Sequence, residues 1–338
     1  MHTALVLGGG APNLTLMSGA LSALVEKKVK FDVISTAGAG TFIGLLYAAP
    51  KGASPLQALE NTLNISISDW IYHFFPVNYK VYQKPGAAAQ FYRNVISSLP
   101  WADTMTDPAD PTPIQRLFQD WIQLMISTFC PTDLTPMSKG LCAHMPFITD
   151  WVDFEKLKEV DFEFYINAYN ITDRRMQNFS KNEITVEHYF ACSSFPFLYP
   201  PARLGGKLYF EGAAVDCLNY KSLVENHPEV DTIVVFDVLG SDKLFREPRD
   251  LYDAWVLSII TPLVEIARDD TKLFELKYNR GPDGNPLRKL LKVEFEIPEQ
   301  HLARVLDWSH SNLRTLFDIG YRSGLNFFEK HQNALETL

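Results

Sequence analysis

At 338 residues the chain has room for one large α/β domain, or for a domain that carries a sizeable insertion. A hydrophobic fraction of 46% beside 21% charged residues is ordinary for a soluble globular protein. The formal net charge of -9 argues against nucleic acid as a partner, because phosphate backbones need a basic surface, and it disfavours purely electrostatic docking on anionic membranes.

The chain opens on Ala4-Leu5-Val6-Leu7, a short apolar strand ending in Gly8-Gly9-Gly10. No basic n-region or cleavage site precedes it, so no signal peptide is expected. Residues 14–26 follow as a helix, with Leu14, Met17, Leu21, Leu24 and Val25 at mixed three- and four-residue spacings. Residues 31–35 read as a second strand and 40–49 as a second helix. Strand, glycine turn and helix, twice over, begin a parallel α/β sheet.

From 66 to 151 the character changes. Trp70, Tyr72, Phe74, Phe75, Tyr79, Tyr82, Phe91, Tyr92, Trp101, Phe118, Trp121 and Phe129 fall in a stretch broken repeatedly by prolines from Pro76 to Pro146. Proline at that density precludes long strands, so short helices and loops are expected. They would form either a cap over the α/β core or a helical subdomain with its rings packed inside. Strand signals return at 162–168 and 184–187. A third glycine turn, Glu211-Gly212-Ala213, follows a strand at 208–210, and 232–236 is an apolar strand suited to a sheet core. A hairpin is expected around Gly281-Pro282-Asp283-Gly284, a strand at 291–297, and helices over 302–328. There is no internal repeat.

Cys130, Cys142, Cys192 and Cys217 are widely spaced, without a C-x-x-C pair. Reduced, buried thiols in a cytoplasmic protein are the expectation. No apolar run is long enough to span a bilayer.

The three glycine turns carry the chemistry. Consecutive glycines at 8–10 let backbone N–H groups converge where a helix N-terminus adds positive potential. A dinucleotide site would want G-x-G-x-x-G, and a phosphate loop a lysine beside Ser or Thr; neither is present. An oxyanion hole is the better functional reading of Gly8, Gly9 and Gly10, with Ala39 as a further donor. Taken alone, the loop serves equally as a tight turn packing strand on helix. The second turn, Thr36-x-Gly38-x-Gly40, has the shape of a nucleophile elbow G-x-S-x-G, with glycine where the serine would stand. Ser35, Thr36 and Thr41 are displaced along the chain and would point elsewhere. At the third turn Glu211 can face a cleft from a strand end and act as an acid or base.

Together these segments resemble the patatin-like phospholipase family, which has a glycine-rich oxyanion loop, a G-x-S-x-G elbow and an Asp-Gly-Gly/Ala turn that supplies the base of a Ser-Asp dyad. The run Ala191-Cys192-Ser193-Ser194-Phe195-Pro196-Phe197-Leu198-Tyr199-Pro200-Pro201 is similar to the family's A-x-S-x-x-P-x-x-x-P-P stretch, and Asn167-Ala168-Tyr169-Asn170-Ile171-Thr172 to the strand and turn before it. The resemblance covers about residues 4–50 and 160–240. It implies a patatin-like three-layer α/β/α fold, mostly parallel in its sheet, over 1–338 as a single domain with 66–151 as a helical, aromatic-rich cap-like insertion. Four departures stand against the family pattern: Gly38 for the serine, Glu211 for the aspartate, Ala213 for the second glycine, and Pro12-Asn13 for a basic residue and glycine. Several changes together look natural, since one suffices to inactivate an enzyme.

Three functional readings stay open on this pattern. The cleft holds a lipid-like or other hydrophobic small molecule, or a protein partner, without turning it over. Alternatively, Glu211 serves a reassigned enzyme as general acid or base. Or Gly38 replaces the serine of an acyl hydrolase held inactive. No metal or cofactor is called for, transient membrane-surface contact is compatible with each reading, and the aromatics of 66–151 are expected to line the cleft.

Overall fold

The computed structural model describes residues 2–10, 14–99, 111–144, 147–240, 246–302 and 307–337. Pro12 and Asn13, along with Pro100, Trp101, Pro108 and Pro146, lie outside the described residues.

The strands are β1 (Thr3–Leu7), β2 (Val33–Thr36), β3 (Glu163–Asn170), β4 (Arg175–Ser180), β5 (Ala202–Leu204), β6 (Lys207–Glu211), β7 (Thr232–Phe236) and β8 (Lys289–Lys292). They form one mixed sheet in the order β5-β6-β3-β2-β1-β7-β8, with β4 also on β3. The central run β3-β2-β1-β7-β8 is parallel throughout, and the antiparallel pairs gather at the β3 end. Every residue of β1, β2 and β7 is buried, as a parallel sheet covered on both faces requires.

The helices of the first half are α1 (Leu14–Glu26), α2 (Ala39–Ala48), α3 (Pro55–Glu60), α4 (Asp69–Phe74), α5 (Ala87–Ser97), α6 (Pro113–Phe129) and α7 (Ile148–Trp151). Those of the second half are α8 (Val186–Ser193), α9 (Tyr220–Asn226), α10 (Leu251–Leu273), α11 (Glu299–Leu302) and α12 (His310–His331). Neighbouring residues of β2 show how the layers form. Ser35 points to one face, where its hydroxyl meets Ser222 of α9 at 2.7 Å. Thr36 points to the other, where its methyl faces Gly44 of α2. The result is an α/β/α sandwich. Residues 14–24 of α1 are all buried, because α12 covers the side that the sheet does not. That closeness depends on Gly320, whose missing Cβ leaves room for the carbonyl of Leu16.

Two sequence expectations need correction. Residues 184–187 do not form a strand. Ile184 is buried, but Thr185 initiates α8, its hydroxyl 3.0 Å from His188 Nδ1 and its N–H 3.3 Å from the same nitrogen. Local capping outweighs the β-branched composition there. The strand expected at 291–297 is β8, which ends at Lys292, because its partner β7 is engaged only over Thr232–Val235. Beyond it Phe295 packs edge-on against Phe236 at 5.9 Å. β4 carried no sequence signal: Arg175, Gln177 and Asn178 disguise a strand that lies on the outer edge of β3. The expected turn at 281–284 is present, closed by an antiparallel bridge between Arg280 and Pro286.

Candidate functional site

The register on β3 brings the second and third glycine turns together. β4 covers one edge of β3 over Tyr165–Asn170. The opposite edge is therefore shared, β2 pairing with Glu163–Ile166 and β6 with Ala168–Asn170. Thr36 lies opposite Ile166 and Glu211 opposite Ala168, so the end of β6 meets the end of β2. Glu211 reaches the turn that follows Thr36 as a direct consequence.

Gly38 occupies that turn at φ 49° and ψ -125°, a left-handed geometry in which a side chain is strained. A Cβ placed on it would fall on Glu211 Oε1 and lie 2.9 Å from the Ala213 methyl. A Cβ on Gly9 would come within 2.7 Å of the same methyl. Gly9, Gly38 and Ala213 thus bring all three turns into contact at the C-terminal ends of β1 and β2, where open α/β sheets place their ligands.

The backbone donors divide. Gly8 N–H donates to Phe236 O and Gly9 N–H to Cys217 O, each at 3.1 Å. Among the described residues the N–H groups of Gly10 and Ala39 meet no acceptor, and both residues line the cavity below. The hydroxyls nearest Gly38 are committed to structure. Ser35 donates to Asn219 O, while Thr36 donates to Tyr165 O and lies 3.0 Å from the Thr41 hydroxyl. All three are fully buried.

Glu211 is held from behind. Its N–H donates to Ser194 O at 3.0 Å, and the Ser194 hydroxyl meets His144 Nε2 at 3.0 Å. His144 stacks between Phe190 and Tyr199, and burial there pushes its imidazole down to about 4, so it is neutral at pH 7. The 191–201 run therefore has a positioning use that its sequence alone does not disclose. On the other side of the third turn, the Asn167 amide donates to Asp216 O at 2.9 Å, and Asp270 accepts the N–H groups of Cys217 and Leu218. Burial, with Asp216 and Asp237 close by, pushes Asp270 up to about 7.

The Glu211 carboxyl has no hydrogen-bond partner among the described residues. It lies against Gly38 and faces a cavity. Burial pushes it up to about 8, so it is mainly protonated at neutral pH and offers a hydrogen bond rather than a charge.

That cavity measures about 420 Å³ and is overwhelmingly apolar. Gly38, Ala39 and Glu211 form its polar end. From the aromatic segment come Tyr72, Tyr82 and Phe147, so part of the expected lining is present. Trp70, Phe74, Phe91, Phe118 and Phe129 are instead exposed. Much of the remaining wall comes from Tyr189 and Tyr199 and from α10, through Trp255, Val256, Ile259, Ile260 and Leu263. The sequence reading gave α10 no part in the cleft, although these positions form a one-sided apolar stripe on a helix. Leu141 and Cys142 donate their N–H groups to Phe197 O and Leu198 O, joining the aromatic segment to the 191–201 run at the cavity. Among the described residues no group of three or more His, Cys, Asp or Glu is arranged to hold a metal ion, and no helix is long and apolar enough to cross a membrane.

Comparison of the sequence with known families gives a match. The model of the patatin-like phospholipases, described as "Patatin-like phospholipase", matches residues 5–228. No curated protein matches the sequence. Among solved structures, that of VipD from Legionella pneumophila is similar over 98% of this chain and 67% of its own, with 15% sequence identity and a TM-score of 0.42.

Proposed function

From a chain that belongs to the patatin-like phospholipase family, yet has glycine at the turn where the serine would stand, we propose a binding protein for a lipid-like ligand, with the Ser-Asp hydrolase chemistry lost. The observation that carries this reading is the place of the Glu211 carboxyl, which fills the space a side chain at position 38 would need. Glu211 and the N–H groups of Gly10 and Ala39 would hold one polar group of the ligand, and the apolar walls its chain. Residues 66–151 act as the cap. The site is built around the missing side chain, which speaks against an acyl hydrolase inactivated by a single change.

Native mass spectrometry and solvent extraction of the purified protein test the proposal. We expect a retained amphiphile, and expect Leu263→Trp, which fills the cavity, to lose most of it. A chain that retains nothing and takes up no fluorescent fatty acid in titration is not a lipid binder.

A second reading, a reassigned enzyme, draws on the same carboxyl. A protonated glutamate in an apolar cleft suits general acid catalysis. Turnover of an apolar metabolite by the unmodified chain, abolished in Glu211→Gln, would decide for it.

Loading from a membrane surface fits the exposed rings of Trp70, Phe74 and Phe75, which flank the cavity-lining Tyr72 and Pro76. Replacing Phe74 and Phe75 together by serine is expected to slow the transfer of a fluorescent fatty acid from phosphatidylcholine vesicles by about a hundredfold, since burying two aromatic rings is worth about 3 kcal/mol. An unchanged transfer rate would remove membrane contact from the proposal. The four cysteines are free and buried, which suits a reducing compartment such as the cytoplasm.

A further inference from the structure

The aromatic segment encloses a second cavity of about 330 Å³, separate from the lipid-like site and sharing only Ile65 and Phe147 with it. Its walls come from residues 79–84, α5, α6 and α7. Its chemistry is the reverse of the first. Lys80, Lys84 and Arg93 all line it, in a chain whose net charge is -9.

Among the described residues, only one of the three cations is paired with a carboxylate. Lys80 pairs with the buried Asp120 at 2.8 Å. The Lys84 ammonium donates to the carbonyls of Thr128 and Cys130, at 3.0 and 2.8 Å. One Arg93 nitrogen donates to Lys84 O at 2.8 Å and another to the Gln90 side chain at 3.1 Å. Neither Lys84 nor Arg93 has a carboxylate within ion-pair distance among the described residues. Asp133, which lies against Gly86, makes no ion pair with either. Carbonyl dipoles solvate a half-buried cation only in part, so these two positive charges have no counter-charge among the described residues.

Unused hydrogen-bonding capacity lies beside them. Arg93 Nε, Gln83 Oε1 and Gln123 Oε1 are buried without a partner among the described residues, and the Ser127 hydroxyl also lines the cavity. Buried polar atoms are rarely left this way unless a ligand or water completes them. Cations supply what a phosphate needs, and the glutamine oxygens what neighbouring hydroxyls need. Tyr92 and Trp151 add flat apolar walls. We propose that this cavity binds the phosphate of a small polyol phosphate, either free or as the headgroup of a phospholipid, with Lys84 and Arg93 as its charge partners.

Calorimetric titration of the full chain with glycerol 3-phosphate, inorganic phosphate and glycerol tests this, alongside co-sedimentation with phosphatidylcholine vesicles with and without phosphatidic acid. Saturable binding of glycerol 3-phosphate, weaker binding of inorganic phosphate and none of glycerol are expected, with affinity falling as salt rises. Arg93→Gln and Lys84→Met should each weaken binding by about tenfold, the effect of losing one charge-assisted hydrogen bond. Lys84→Met also removes two bonds to the end of α6, so Arg93→Gln, checked for an unchanged thermal transition, is the deciding variant. Binding of the soluble phosphate assigns a free ligand. Capture by phosphatidic acid vesicles alone, lost in Arg93→Gln, assigns a lipid headgroup. Absence of both, or binding that Arg93→Gln leaves undiminished, overturns the proposal. None of these readouts depends on whether the first cavity retains an apolar ligand.

Discussion

Gly38→Ser is expected to stay unlabelled by fluorophosphonate probes and to hydrolyse p-nitrophenyl esters no faster than the unmodified chain. Restoring a hydroxyl does not restore its activation. A nucleophilic serine needs a base beside it, and Glu211 is held protonated by burial up to about pH 8. The new Cβ would also fall on the Glu211 carboxyl, which must swing away from the turn. Serine at φ 49° adds backbone strain of about 1–3 kcal/mol, so the variant should unfold at a lower temperature than the parent. Pairing it with Glu211→Asp shortens the acid by one methylene and clears that space. Labelling is therefore expected to require both changes. Robust labelling of Gly38→Ser alone would mean that the remaining site was intact, and the inactive-hydrolase reading would replace the binding one.

The second large effect is on pH dependence. A glutamate in an unfolded chain ionises near 4.5, whereas Glu211 in the fold ionises near 8. Between those values the folded state holds a proton that the unfolded state has released. Stability therefore falls as pH rises through this window and levels off above it. The loss at full ionisation is on the order of several kcal/mol. Glu211→Gln keeps the shape and cannot ionise. The unmodified chain should lose markedly more thermal stability between pH 5 and about 9 than this variant does. Asp270, pushed up to about 7, contributes the same slope to both proteins and cancels in the comparison. Retention of an apolar ligand should instead follow the ionisation of Glu211 itself, falling through pH 8 in the parent and staying flat in the variant. Parallel stability curves for the two proteins would show that the Glu211 carboxyl is already ionised at neutral pH, and that the polar end of the cavity is an anion.

A proton held in an apolar pocket also separates binding from base catalysis, whereas general acid catalysis shares the profile of binding and is told apart by turnover alone. Binding uses Glu211 as a donor, so it is strongest where the acid is neutral. A general base must be ionised, and its rate would climb through pH 8. The two profiles run in opposite directions over the same range, so one pH series distinguishes a binder from a base-dependent enzyme.

Much of the fold was legible in the chain, because its signals are local. α1 and β7 match their expected limits, since an apolar run between glycine, proline or polar residues defines its own ends. The expected three-layer α/β/α architecture with a mostly parallel sheet is observed, and so is membership of the patatin-like family, because glycine turns and their order are properties of sequence. Local signals also misled where neighbours competed. Thr185 capped a helix where β-branched residues suggested a strand, and β4 was hidden because an edge strand need not be apolar.

Tertiary structure alone decided the chemistry at the turns. No spacing along the chain states that β2 and β6 share one edge of β3, yet that register is what sets Glu211 against Gly38. Nor does sequence disclose that Gly8 and Gly9 spend their N–H groups on Phe236 and Cys217, leaving Gly10 and Ala39 facing the cavity. The apolar stripe of α10 was visible, but only packing shows that it closes a cavity instead of joining the core. A residue's type and its place in a strand or helix follow from short-range forces that act along the chain. The protonation of Glu211, and the placing of Lys84 and Arg93 against backbone carbonyls at one cavity, arise from desolvation and from distant neighbours, which exist only once the chain has folded.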